Sequence, residues 1–326
     1  IPLAGHRTWP HTPSMEQSAQ TPAQSTSTGP RRDRSVELAV ALMVIAVLIL
    51  PAIDAIAKLL SATVPAGQVA WARFVFQVLI LAPFVARAFR RAPVTHLWFQ
   101  ALRGVLIATT TVLIFAAVKL MPIADAIAIF FVEPLIVTLL SAIFLGERIG
   151  WRRIVAAIVG FAGAMIVVRP SYDLFGLTAI MPLGAALCFA IYIVLTRRLA
   201  QIQEPVILQF NAGLSGLVFM SSALLIGHAM EFQVLMPVWP TRWEWSLLAL
   251  SGVIATAGHF MITMAIRKLE AGVLAPFQYL EIVGATGYGL WLFGDFPDQI
   301  TWIGIAIIVG SGLYIFHRER VRSRRG

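Results

Sequence analysis

Between residues 36 and 317 the chain is a succession of long apolar stretches, and the polar breaks between them are too short to build a soluble domain. A helix needs roughly 20 apolar residues to cross a hydrocarbon core of about 30 Å. Ten such segments fit, at 37–60, 67–87, 97–118, 123–145, 153–169, 176–196, 206–227, 246–266, 272–293 and 300–317. With 59% hydrophobic and 13% charged residues, the chain lies outside the soluble globular range. The expectation is an all-α membrane protein with its core in lipid.

A weak repeat runs through these segments. Ala116, Lys119 and Leu120 recur as Ala265, Lys268 and Leu269, 149 residues on. Leu145-Gly146-Glu147 recurs as Phe293-Gly294-Asp295 at an offset of 148, and Gly163 as Gly312 at 149. A near-constant offset across half a chain signals duplication. With five spans per copy, an odd number, the second copy would lie upside down relative to the first. The expected architecture is ten transmembrane helices as two inverted five-helix repeats, over 36–169 and 176–317, the ground plan of a secondary transporter. Residues 1–35, rich in Pro, Ser, Thr and Gln, are expected to form a disordered tail, and 318–326 a basic one. Met15 offers an ordinary start, which would leave residues 1–14 outside the mature protein. Ala55-Ile56-Ala57 faintly mimics a cleavage site, but the apolar run before it is too long for a signal peptide.

The net charge of +9 is topological rather than a nucleic-acid footprint. With the N-terminus in the cytoplasm, arginines and lysines cluster in cytoplasmic segments: Arg31, Arg32 and Arg34; Arg87, Arg90 and Arg91; Arg148, Arg152 and Arg153; Arg197 and Arg198; Arg267 and Lys268; and five arginines from Arg318 to Arg325. Lys119, Arg169 and Arg242 alone fall in the opposite loops. This alternation is the positive-inside pattern, and it places both termini in the cytoplasm of an inner-membrane protein that binds no nucleic acid. The one cysteine, Cys188, has no intrachain partner, so no disulfide framework forms.

An ionisable side chain near the bilayer centre costs about 2.5–3.5 kcal/mol even on lenient scales, so such residues are functional candidates by default. Glu133 and Glu281 both fall near mid-span and are near-equivalents in the repeat, 148 residues apart. A low-dielectric interior disfavours a carboxylate's charge, which suits such a group to bind and release a proton; pairing with a cationic substrate is the alternative, and a static hydrogen bond to backbone a third. Pro134 follows Glu133 and Pro276 precedes Glu281 by five residues, so both spans are expected to bend beside their acid. His259 and Tyr279 join these acids as candidate substrate or proton sites. Asp54 and Lys58, four apart on one helix face, form with Arg73 a candidate outer gate, or a static ion pair with Lys58 snorkelling to the interface.

Tryptophans near span ends, among them Trp71, Trp98, Trp151 and Trp302, read as interfacial anchors. Gly160 with Ala164 and Ala306 with Gly310 make the fifth and tenth spans packing elements, with a homodimer contact through them as a second reading. The segment 228–245, with Pro237, Pro240 and three Trp, is an interfacial loop or a lid. No H-E-x-x-H, G-x-S-x-G, metal-ligand cluster or phosphate loop occurs, so neither enzyme chemistry nor a metal, a cofactor or direct ATP drive is expected. A membrane-embedded enzyme, and a channel or receptor without active transport, remain as rivals.

At several of these residues the chain resembles an EamA-type member of the drug/metabolite transporter superfamily. The resemblance rests on Lys58, on Arg73-Phe74, and on Pro134 with Leu145-Gly146-Glu147-Arg148-Ile149. It continues through Cys188-Phe189-Ala190-Ile191-Tyr192 with Thr196-Arg197-Arg198, Ala275 to Glu281, Phe293-Gly294-Asp295 and Gly312-Leu313-Tyr314. Asp295 departs from the more usual Glu. The resemblance implies two tandem five-helix domains, a central cavity and alternating access for a small-molecule substrate. The functional expectation is an inner-membrane carrier of a small organic metabolite or drug, working as an exporter coupled to protons.

Overall fold

A computed structural model describes residues 29–89, 95–121, 123–146, 151–168, 178, 180–269, 274–294 and scattered positions between 299 and 314. Sequence features at residues 1–28, Glu147 to Ile149, Asp295, Gly312, Leu313 and 318–326 lie outside the described residues. Helix α1 (Gly29–Ile49) starts inside the segment expected as a tail, with Pro30 in its first turn, where a missing N–H costs nothing.

Prolines then cut several apolar runs into shorter helices. Pro51 interrupts the first span, so α2 (Pro51–Leu60) restarts after Leu50, and Ile53 N–H donates to the Leu50 carbonyl at 2.9 Å in a tightened turn. Next come α3 (Ala66–Phe89) and α4 (Leu97–Leu120). The fourth apolar run is split into α5 (Ile123–Phe130) and α6 (Glu133–Leu145), with Pro134 in the first turn of α6. Helices α7 (Trp151–Val168), α8 (Ile180–Ala200), α9 (Pro205–Ala229) and α10 (Arg242–Lys268) follow. The ninth run opens as a 3-10 stretch, Ala275–Leu280, and becomes α11 (Glu281–Phe293). Among the described residues there is no strand, and six helices are long and apolar enough to cross a membrane when Ser35–Leu60 counts as one.

Corresponding pieces of the two halves end alike. Helices α6 and α11 each run 13 residues, open on a glutamate and close on a left-handed glycine, Gly146 (φ 66°) and Gly294 (φ 73°). A side chain would be strained at that φ, and glycine is not. Helix pairings also recur with the halves exchanged: α1 against α10 matches α8 against α4, α3 against α10 matches α9 against α4, and α6 against α8 matches α11 against α2.

One tight seam among these helices rests on small residues. A Cβ added to Gly104 of α4 would stand 2.7 Å from the Ala212 carbonyl oxygen and 2.8 Å from the Gly216 nitrogen of α9. Since that neighbour is backbone, only separation of the helices could relieve the clash. Gly104→Ala is therefore expected to destabilise the protein by about 1–3 kcal/mol, the usual cost of overpacking. A thermal midpoint in detergent equal to that of the wild type would refute this.

On the loop side, Gln68 of α3 clasps the 228–245 segment. Its Nε2 donates to the Val238 carbonyl at 2.7 Å while its Oε1 accepts from Val238 N–H at 2.8 Å. Thr241 and Glu244 form a capping box that starts α10, and Thr63 also donates to the Glu244 carboxylate. Trp239 stays 90% exposed, so the segment lies on the outside of the bundle.

Candidate functional site

The helix interruptions place the intramembrane acids. Asp54, Glu133 and Glu281 each fall in the first turn after a break, in α2, α6 and α11 respectively. A helix start carries partial positive charge, a setting that favours an acidic group.

Asp54 and Glu281 line a central cavity together with Arg73 of α3, Thr111 of α4, His259 of α10 and Gln278 of the 3-10 stretch. The cavity has an empty volume of about 630 Å³ including its mouth, and Phe115, Phe130 and Phe189 form its apolar wall. Arg73 is only 4% exposed, and its Nη1 donates to Thr111 Oγ1 while Nε and Nη2 have no hydrogen-bond partner among the described residues. The Thr111 hydroxyl in turn donates to the Ile107 carbonyl at 2.7 Å, which orients its lone pairs toward Arg73. His259 packs against Phe189 and Tyr192, with ring centroids 6.1 and 6.2 Å away, and its Nδ1 is unpartnered.

The other sequence candidates sit apart from that lining. Lys58 holds its ammonium 5.0 Å from the centre of the Phe293 ring, a cation–π contact to the side of the cavity. Glu133 is fully buried and neither carboxyl oxygen has a hydrogen-bond partner among the described residues; Gln278 is within reach of it without forming a well-aligned bond. Tyr279 stands edge-on to Phe131 at 5.4 Å, and its ring fills the space left by Gly160, where a Cβ would lie 2.5 Å away. Its hydroxyl, too, is unpartnered. The structure thus brings Glu281, His259, Asp54 and Arg73 to one cavity and buries Glu133 and Tyr279 outside its lining. Pro134 follows Glu133 in the first turn of α6, and Pro276 lies in the 3-10 stretch ahead of Glu281.

Sequence reasoning passes over Arg103. It is fully buried in α4, donating from Nε to Thr196 Oγ1 at 2.8 Å and from Nη1 to the Leu208 carbonyl at 3.1 Å. The Tyr192 ring covers its guanidinium at 5.1 Å. Around it Gln209 donates to Thr263 Oγ1 at 2.5 Å and to the His259 carbonyl at 3.0 Å, and Gln77 donates to the Gln209 carbonyl at 2.8 Å. These side chains tie α3, α4, α8, α9 and α10 into one polar layer that adjoins the cavity through His259. The available signal is an arginine six residues into an apolar segment, a placement that also fits a snorkelling side chain.

Known proteins share this sequence pattern and fold. The EamA-like transporter family matches residues 37–169 and again 176–316. A riboflavin transporter of Rhizobium johnstonii is 29% identical over 271 residues, covering 80% of this chain and 84% of its own length. An S-adenosylmethionine uptake transporter of Rickettsia bellii is 27% identical, over 82% of this chain and 89% of its own. A pseudopaline exporter of Pseudomonas aeruginosa is 30% identical, over 83% and 93%. A solved crystal structure, 20% identical, superposes with a TM-score of 0.68 over 87% of this chain and 98% of its own, so the fold is shared. The long apolar helices make the protein an integral multi-pass membrane protein, and the chain belongs to the EamA-like transporter family.

Proposed function

We propose that the protein is a secondary carrier that moves a small organic metabolite or drug across the bacterial inner membrane by alternating access, exporting it in exchange for protons. The observation that carries this reading is the central cavity, where Asp54, Glu281, Arg73 and His259 meet between helices of both halves. Two inverted five-helix units, over 36–169 and 176–317, and cytoplasmic termini complete the proposal. The exchange of helix pairings between halves supports it, since a two-fold relation between repeats produces such pairs. Glu281 is the proposed proton carrier: it opens α11 on the cavity wall, and Asp54, which shares that setting in α2, has Arg73 within electrostatic reach as its counter-charge. Glu133, at the matching position, is proposed to support it from its buried place outside the cavity lining, with Tyr279. Asp54 and Arg73 both line the cavity within electrostatic reach of each other and are proposed to close it as a gate when no substrate is bound, with Lys58 as the third member.

The uptake transporter and the exporter among the relatives show that direction needs its own measurement. Inverted vesicles with an acid lumen are expected to accumulate solute and release protons in step with it, across a panel of labelled metabolites. If solute equilibrates with no proton movement, the protein is a facilitator or exchanger and the acids are structural or substrate-binding. If solute is altered but not translocated, the carrier reading fails.

A further inference from the structure

Buried nitrogen atoms without a hydrogen-bond partner among the described residues gather in and beside the cavity, with Arg73 and His259 lining it and Arg103 lying behind them. Arg73 contributes Nε and Nη2, His259 contributes Nδ1, and Arg103 contributes Nη2. Buried polar atoms are nearly always satisfied, so each orphan calls for a partner that the protein itself does not supply. These three residues come from α3, α10 and α4, yet they are neighbours. His259 lies within electrostatic reach of both guanidiniums, and Tyr192 links them physically, 6.2 Å from His259 and 5.1 Å from Arg103. The recorded partners of Arg103 are a hydroxyl, a carbonyl and an aromatic face, none of them an anion. Burying a guanidinium without a counter-charge is costly unless something else compensates it.

We propose that the compensating group is an anionic group of the cargo, a carboxylate or a phosphate, seated between Arg73 and His259 with Arg103 behind Tyr192. The inference rests on the carrier reading of this same cavity and deepens it by naming the chemistry of its substrate. The planar Arg73 edge bearing Nε and Nη2 matches the two oxygens of such a group. Arg73 is already held by Thr111, so the edge is oriented before cargo arrives. Phe115, Phe130 and Phe189 on the wall accept an apolar or aromatic body attached to that group. Asp54, within electrostatic reach of Arg73, is then the competitor for its guanidinium when no cargo is bound. Arg103 lies one aromatic layer deeper and offers the anionic group a next station as the floor opens.

The test is equilibrium binding to the purified full-length protein in lipid nanodiscs, by calorimetry. Three aromatic probes are compared, phenylacetate, phenyl phosphate and the neutral phenylacetamide. At least one anion is expected to bind about tenfold or more tightly than the amide, the worth of one charge-assisted hydrogen bond. Preference between the two anions identifies which oxyanion the floor fits. His259→Gln and Arg73→Lys are expected to weaken the anion and leave the amide unchanged, and the wild-type probe series stands even if a variant does not fold. Amide binding as tight as both anions, no binding by any probe, or anion affinity untouched in both folded variants would overturn the proposal. An anion that binds but is never translocated keeps this site and removes the carrier reading instead.

Discussion

Glu281→Gln is expected to abolish solute-dependent proton movement while the protein continues to equilibrate solute. Coupling requires that proton and cargo binding influence each other at a shared place, and Glu281 is a titratable carboxyl on the wall of the cavity. Asp54 and Glu133 are both within electrostatic reach of it, so its charge state is felt throughout the acid cluster. Gln preserves size and hydrogen bonding but removes the exchangeable charge. The pH dependence of solute affinity should fall by the size of an ordinary coupling free energy, about 1–3 kcal/mol or 5–150-fold. Glu133→Gln should have a smaller effect, because Glu133 is fully buried outside the cavity lining and acts through its neighbours Glu281, Gln278 and Tyr279. Proteoliposomes carrying a pH-sensitive dye, with solute counterflow measured in parallel, separate the two quantities. Near-normal proton movement by Glu281→Gln would remove this residue from the coupling mechanism, and loss of counterflow as well would make it a binding residue.

The sequence marks the long apolar helices well because a bilayer leaves little choice. α3, α4, α9 and α10 each lie within a few residues of an apolar segment. Charge in such a segment is rare enough that Asp54, Arg73, Glu133 and Glu281 draw notice without any structure. The position of a residue around its helix is much harder to read. Glu133 and Glu281 look equivalent in sequence, yet one lies outside the cavity lining and the other belongs to it. Helix rotation sets that difference, and it depends on packing partners such as Gly160 against Tyr279, which hydropathy does not encode. Pro51 was as visible as Pro134, but it draws less notice because its acid, Asp54, stands three residues away rather than beside it. Polar layers are the least legible feature. Gln77, Gln209, Thr196 and Thr263 are ordinary residues singly, and their joint role emerges only when α3, α8, α9 and α10 bring them around Arg103.

Arg103→Met is expected to leave the fold within about 1 kcal/mol of wild-type stability, an unusual outcome for the loss of a fully buried arginine. Two effects oppose each other. The substitution removes charge-assisted hydrogen bonds to Thr196 and Leu208, each worth about 1.5–3 kcal/mol. It also removes a buried charge with no anionic partner among the described residues, whose desolvation costs several kcal/mol. Thr196 keeps a hydrogen bond after the change, since its hydroxyl donates to the Tyr192 carbonyl at 2.6 Å. Met is flexible enough to fill the space under the Tyr192 ring and pack on it through sulfur. A residue kept for architecture would show the other pattern, with a loss of about 3–5 kcal/mol when its interactions are broken. Thermal midpoints in matched nanodiscs, compared with Arg103→Ala as a cavity control, decide between the two. A large loss in Arg103→Met as well as in Arg103→Ala would make the arginine a structural strut between α4, α8 and α9. Stability held in Arg103→Met, with anion binding or solute flux down about tenfold or more, would mean that the charge is retained for what passes through the cavity.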